Sequence, residues 1–328
     1  MPVRITGTGS YVPDRIITNE DLEKLVETSD SWIRERTGIR TRRITDRGVT
    51  DMAVRAAKRA MEQAGLLPER LGLIIVGTST GDCLFPSTAC QVQAALGASN
   101  AVCFDLSAAC SGFLFSLNTA AAYLEAGLYR SALVIGADAL SKAVDWTDRS
   151  TCILFGDGAG AAVLQRTEAD EGCPGSPAEG IGPFLMGSDG SRGECLTCSG
   201  VPLRGPETPE ASWDYMSMNG REVFRFAVKT VPEVLEAVLE KSGLKAEDIK
   251  YFVLHQANER IIQSVAKRMN QSLWKFPMNL SRYGNTSGAS IPILLDELNR
   301  RGKLERGSRL VLAGFGAGLT WGATMVVW

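Results

Sequence analysis

The chain has 328 residues, with 35 Lys and Arg against 37 Asp and Glu and a formal net charge of -2, which excludes bulk attraction to nucleic acid or to an anionic membrane. That length exceeds the usual single-core domain and implies two packed units or one large α/β body. No uninterrupted apolar run is long enough to span a bilayer, the stretch Met1 to Pro13 has no long apolar core, and the eight cysteines read as thiols, so a soluble cytoplasmic protein is expected.

In chain order, Thr18 with Asp21 three residues on makes a capping pattern for a short helix to about Val26, and Asp30 opens a second helix that stops at Gly38. Thr50 is expected to cap a stronger helix, because Met52, Ala53, Ala56, Ala57, Ala60, Met61 and Ala64 recur at helical spacing before Gly65. A buried strand over Leu73 to Val76, a helix over Pro86 to Leu96, a short strand over Ala101 to Phe104, a helix from Gly112 to Ala126 and a central strand over Ala132 to Gly136 follow. The Gly- and Pro-rich segment 172–211 has few periodic apolar residues and reads as loops, over a cleft or as a flap. The alternation of strands and helices is that of an α/β protein.

The second half repeats the first. Ala64-Gly65-Leu66, a charged turn and the strand from Leu73 are echoed by Ser242-Gly243-Leu244, a charged turn and the strand from Tyr251, an offset of 178 from Gly65 to Gly243. Ser111-Gly112 matches Ser287-Gly288 at 176, Leu133 matches Leu310 at 177, and Gly160 matches Gly322 at 162, so the first half carries about 15 extra residues after Ala137. Two similar α/β halves are expected, residues 1–166 and 167–328, related by a pseudo-twofold axis with a crevice at the carboxyl ends of strands where they meet.

That repeat gathers three chemical groups. Cys110 lies at a strand-to-helix turn, where unpaired N–H groups and the positive helix end favour a thiolate nucleophile. His255, the only histidine, stands where the first half has Gly77, and Asn285 is next to Thr286, the residue this alignment pairs with Cys110. Singly, each has an ordinary structural reading: a buried cysteine, a satisfied histidine, an N-cap asparagine. Cys195 and Cys198 form one C-x-x-C pair without a second, so no metal site is expected.

Four motifs in order, Asp105 to Gly112 around Cys110, His255 to Asn258, Gly284 to Ala289 and Gly314 to Gly322, together resemble the β-ketoacyl-acyl-carrier-protein synthase III family of the thiolase-like superfamily. Thr28 to Ile33, Arg36 to Ile39 and Phe155 to Gly160 extend the resemblance along the whole chain. It implies a thiolase-like fold of five αβαβα layers. It also implies a decarboxylative Claisen condensation that initiates fatty-acid synthesis. Cys110 would carry the acyl group from acyl-CoA, while His255 and Asn285 would donate hydrogen bonds to the malonyl thioester oxygen. Backbone N–H groups of Cys110 and Ala317 would form a second oxyanion hole.

By the same resemblance, Trp32 and Arg149 would sandwich the CoA adenine with Thr28 and Arg36 close by, and Phe315 and Phe85 would bound the acyl pocket of an expected homodimer. The Phe85 position is one that in relatives often acts from the neighbouring subunit, and here it is left open between its own chain and the other. A bulky ring there favours a short primer such as acetyl. Arg260, Lys267 and Arg268, with Arg221 and Arg225, are the candidates for docking the acidic acyl-carrier protein that brings the malonyl group. No permanently bound cofactor is implied; coenzyme A enters as thioester and leaves as product.

Several readings stand beside this one. A single histidine excludes the two-histidine elongating enzymes, the glycine loop at 314–318 lacks the second cysteine of thiolases, and plant-type polyketide synthases typically carry a proline there. A secondary-metabolism condensing enzyme or acyltransferase of the same fold shares the motifs, whereas a non-catalytic binding protein of that fold is disfavoured because Cys110, His255 and Asn285 all remain. A papain-like cysteine hydrolase also uses Cys, His and Asn, but the Cys-Gly-Ser-Cys-Trp signature is absent and the repeat would go unexplained.

Overall fold

The structure, a computed structural model, describes residues 2–167, 180–201 and 214–328. In the first half the main elements are β1 (Val3–Tyr11), α1 (Asp30–Thr37), α2 (Val49–Ala64), β2 (Leu73–Gly77), α3 (Thr88–Leu96), β3 (Val102–Leu106), α4 (Gly112–Glu125), β4 (Ser131–Ala139) and β5 (Asp157–Arg166). The second half has β6 (Gly180–Ser188), α5 (Gly220–Lys241), β7 (Tyr251–Leu254), α6 (Glu259–Arg268), α7 (Ser290–Arg300), β8 (Arg309–Gly316) and β9 (Thr320–Val327).

Two sheets carry the repeat. The first runs β1-β5-β4-β2-β3 and the second β7-β8-β9-β6. The parallel pair β2/β4 is matched by β7/β8, and the antiparallel pairs β4/β5 and β5/β1 by β8/β9 and β9/β6. Leu73 faces Ala132 across one parallel pair and Tyr251 faces Leu310 across the other, so both strands repeat at 178. The offset of 177 expected for Leu133 and Leu310 is therefore one residue short. A slip of one residue turns a side chain to the other face: Leu133 packs on the outer side against α2, whereas Leu310 packs inward.

The Ser-Gly matching is corrected in the same way. The turns before α4 and α7 span Ala109–Ser111 and Ser287–Ala289, each opened by a left-handed residue, Ala109 (φ 45°) and Ser287 (φ 50°). They again differ by 178, so Cys110 corresponds to Gly288 rather than Thr286.

Alternate side chains sort the strands into layers. Leu73, Ile75 and Val134 from the first sheet and Leu310, Leu312 and Val326 from the second meet on α4 and α7, whose Phe113, Leu117, Leu294 and Leu295 are buried between them. Ile74, Val76 and Ile135 face out onto α2 and its alanines; Phe252, Leu254 and Val311 face out onto α5 and α6. Each fully buried Leu or Ile contributes roughly 2–3 kcal/mol. This is the five-layered αβαβα arrangement. The strands have both faces covered, which is why they read as continuous apolar runs.

Two local expectations change. The α2 N-cap is Gly48, with no side-chain cap; the carboxylate of Asp82 instead accepts from the Val49 and Thr50 N–H groups at 2.9 and 2.7 Å. Residues 180–188, expected as loop, form edge strand β6 despite Pro183, which an edge tolerates. The other parts of the 172–211 segment that fall at 172–179 and 202–211 lie outside the described residues. We propose the division at 166/167, which falls between β5 and β6.

Candidate active site

Cys110 sits in the turn that leads β3 into α4 and is 7% exposed. Burial pushes its thiol up to about 12; a hydrogen bond from Ser287 works against that, and the nearby Asp138 carboxyl adds to it. Loss of water around the sulfur thus works against the thiolate that the helix entrance favours. Asp138, at the end of β4, is itself wholly buried and accepts from Ser79 N–H (2.9 Å), Thr80 Oγ1 (2.8 Å), Thr78 Oγ1 (3.2 Å) and Gly288 N–H (3.3 Å).

His255 continues β7, its N–H donating to the Ala313 carbonyl at 2.8 Å. The ring is 1% exposed, and Nδ1 lies 2.7 Å from Ser290 Oγ at the start of α7. Phe315 of β8 packs edge-on against it with centroids 5.2 Å apart. Burial drives the imidazole down to about 3, so it is neutral at physiological pH. Asn285 is clamped on both sides: its N–H donates to the Leu154 carbonyl (2.8 Å) and its carbonyl accepts from Gly156 N–H (3.0 Å). Its side-chain Oδ1 accepts from Ser287 N–H at 2.8 Å, which leaves the amide NH2 for another partner.

Cys110, His255, Asn285, Phe315 and Gly316 line one cavity of about 130 Å³. Leu154, Met218, Gly220, Phe224 and Asn258 line both this cavity and an adjoining groove of about 650 Å³. Along the groove are Trp32, Arg36, Arg149, Arg221, Arg225 and Arg260. The guanidinium groups of Arg36 and Arg149 each lie 4.8 Å from the Trp32 ring centre, and Arg149 also donates to the Glu27 carbonyl at 2.8 Å. A flat cationic and aromatic entrance thus leads to a thiol flanked by two neutral hydrogen-bonding side chains.

Comparison with known proteins agrees with this geometry. Residues 104–190 match the family model for 3-oxoacyl-[acyl-carrier-protein] synthase III and residues 239–328 its C-terminal model. The chain is 49% identical to the β-ketoacyl-[acyl-carrier-protein] synthase III of Clostridium acetobutylicum, with 99% of this chain and 98% of that protein covered. The chain belongs to the β-ketoacyl-acyl-carrier-protein synthase III family. Among solved structures, the 3-oxoacyl-[acyl-carrier-protein] synthase III of Aquifex aeolicus superposes with a TM-score of 0.90 at 46% identity, covering 99% of this chain and 100% of that one. The Thermus thermophilus synthase III superposes at 0.91 with 42% identity, covering 99% of each chain. The thiolase-like fold expected from the motifs is the one observed.

Not every residue that the family resemblance pointed to is brought to the cavity. Phe85 is 83% exposed and lines neither cavity nor groove of its own chain, because the loop after β2 turns it to solvent. Ala317 lies one residue beyond the cavity-lining Gly316, its carbonyl accepting from Thr320 Oγ1 at 3.1 Å. Thr28 is outside the groove lining, with its hydroxyl oxygen buried and unpaired. Lys267 and Arg268 also lie outside; Arg268 donates to the Val228 carbonyl at 3.3 Å and pairs with Glu233 at 3.6 Å, so it ties α6 to α5. Ser290 and Asp138 went unnoticed in the sequence, and Ser287 was read only as part of the repeat and the turn motif. Only the dense Ser/Thr/Gly run after Asn285 hinted at a hydrogen-bonded turn.

Proposed function

We propose that this chain condenses a short acyl-CoA with malonyl-acyl-carrier-protein, with loss of CO2, to start fatty-acid synthesis. The observation that carries the reading is the convergence of Cys110, His255 and Asn285 on one small cavity at the inner end of the Trp32 groove. CoA lies along the groove, with its adenine between Trp32 and Arg149, which then releases its present hold on the ring.

In the first half-reaction the Cys110 sulfur attacks the thioester carbonyl. The new acyl–sulfur bond replaces the acyl–CoA bond, and the thiol proton ends on the departing CoA sulfur. Because burial holds that proton firmly, it leaves as the bond forms. In the second half-reaction the malonyl carboxylate departs as CO2, and the electron pair is held as an enolate by the His255 N–H and the Asn285 NH2. A neutral imidazole suits a donor that must not surrender a full proton. The carbanion attacks the acyl carbonyl, whose oxygen is received by the backbone N–H groups of Cys110 and Ala317. Collapse releases the ketoacyl product, and Cys110 regains a proton from solvent.

Arg221, Arg225 and Arg260 at the groove mouth receive the acidic carrier protein. The exposed Leu84 and Phe85 are covered by a second copy in a cytoplasmic homodimer, where Phe85 limits the acyl chain. The test is to incubate the protein with a panel of acyl-CoAs, locate adducts by mass, and add malonyl-acyl-carrier-protein. Acylation of Cys110 followed by ketoacyl product is expected. No adduct on Cys110 defeats the mechanism, and an adduct without condensation transfers the chain to acyltransferases of the same fold.

A further inference from the structure

The two donors proposed for the enolate are useful only if each presents hydrogen, not a lone pair, to the cavity. For Asn285 the backbone settles this, since Oδ1 is occupied by the Ser287 N–H. For His255 the matter is subtler. A neutral imidazole carries one N–H, and either nitrogen can hold it.

The partner of Nδ1 is Ser290 Oγ, 2.7 Å away and buried with it. A serine hydroxyl has one hydrogen to give and two lone pairs to receive. One lone pair is engaged by the Gln256 backbone N–H at 3.3 Å, which can only donate. Were Nδ1 also to donate, the Ser290 hydrogen would be stranded without an acceptor in a dry site, because among the described residues Ser290 Oγ has no partners other than the Gln256 N–H and Nδ1. A stranded buried hydroxyl is costly enough to bias the tautomers by about fivefold or more.

We infer that Ser290 is a positioning residue: its hydroxyl donates to His255 Nδ1, which fixes the proton on Nε2, the ring nitrogen left to face Cys110 and Asn285. Phe315, packed edge-on against the ring, restricts the rotation that would exchange the two nitrogens. The same short segment, Ser287 to Ser290, thereby orients both donors, one through a backbone N–H and one through a hydroxyl. The catalytic consequence rests on the condensation proposed above; the tautomer itself does not.

The experiment uses the fact that the chain has one histidine. Untagged protein labelled with 15N at histidine gives two ring resonances that belong to His255 alone. In the wild type, Nε2 should show the shift of a protonated nitrogen and Nδ1 that of a bare one. In Ser290→Ala the pattern should move toward the opposite tautomer or a mixture. Condensation with malonyl-acyl-carrier-protein should then fall at least about tenfold, while acylation of Cys110 by acyl-CoA stays within about twofold. Ser290→Thr, which keeps the hydroxyl, should restore the wild-type resonances and most of the rate.

A wild-type spectrum with the proton on Nδ1 overturns the inference outright, without any variant. So does a Ser290→Ala protein that keeps the proton on Nε2 and condenses at the wild-type rate. If the wild type holds the Nε2 proton and Ser290→Ala loses it, yet no acyl-CoA supports condensation by either, the role of Ser290 stands and the proposed reaction fails.

Discussion

The Gly288 N–H donates to Asp138 Oδ2 at 3.3 Å, linking the turn before α7 in the second half to the end of β4 in the first. The same carboxyl gathers Ser79, Thr78 and Thr80, so one buried group closes the seam beside Cys110 from both sides. Asp138→Ala should strand these donors and destabilise the fold by about 2–4 kcal/mol. Equilibrium unfolding in urea checks this; a loss below about 0.5 kcal/mol would show that the seam holds without it.

His255 gives the acid side of the stability profile a definite sign. Its folded value is lowered to about 3 by burial, whereas an unfolded histidine titrates near 6.5. Between those values the unfolded chain binds a proton that the folded chain refuses, so stability falls as pH drops through that window and is unaffected by this group above it. Relative to His255→Asn, the wild type should lose about 1.4 kcal/mol per pH unit on acidification from 6.5. Parallel unfolding curves for the two proteins at pH 6, 5 and 4.5 would refute the assignment.

Cys110 predicts the alkaline limb of the first half-reaction. With the thiol held up to about 12, the fraction ionised is still climbing at pH 9. The rate of Cys110 acylation, and of its alkylation by iodoacetamide, should therefore keep rising above pH 9, and at pH 7 the exposed Cys83 should be alkylated at least about tenfold faster. A plateau near neutral pH would mean that the helix end does hold a thiolate.

The groove separates the two substrates. Trp32→Ala removes the ring that Arg36 and Arg149 now cover and should raise KM for acyl-CoA about tenfold, with KM for malonyl-acyl-carrier-protein unchanged. Initial-rate measurements with each substrate varied in turn would show it, and an equal effect on both would place Trp32 in the scaffold instead.

Among the arginines, position distinguishes docking from packing. Arg260→Glu, at the groove, should raise KM for malonyl-acyl-carrier-protein at least fivefold, on the order of one kcal/mol, and the effect should shrink in high salt. Arg268→Glu, already committed to Val228 and Glu233, should lower thermal stability and leave that KM alone. The reverse pattern would move the docking surface along α6.

How far the sequence could be read depended on whether a residue's role is local. The α2 stripe from Met52 to Ala64 announces itself, because one face meets one sheet. Strand β5, Asp-Gly-Ala-Gly-Ala-Ala-Val-Leu-Gln-Arg, carries none of the usual strand bias in its first half, and neither does β6 with its three glycines and proline. Small residues in β5 are dictated from outside the strand: a side chain at Gly160 would strike the backbone of Pro292 and Ile293 in α7. Cys110, His255 and Asn285 were legible through their motifs and the repeat, yet the Ser-Gly match misplaced the turn by two residues. Only the sheet registers and the left-handed Ala109 and Ser287 correct it. Phe85 is turned away from its own chain's cavity, and a motif records what a position serves and not which copy it serves. Ser290 and Asp138 acquire their meaning from partners 35 and 150 residues away.

The repeat at 178 residues gives every functional group a symmetry mate. The mate of Cys110 is Gly288 and that of His255 is Gly77, where a side chain would run into the backbone of Gly112. A duplicated scaffold could in principle build two reaction centres, one on each side of its axis. Here each half carries glycine at the position where the other carries Cys110 or His255, so on the mechanism proposed above the internal dyad yields a single chamber with a nucleophile wall and a donor wall. The division of labour between two protomers that a symmetric dimer cannot achieve is written into one chain.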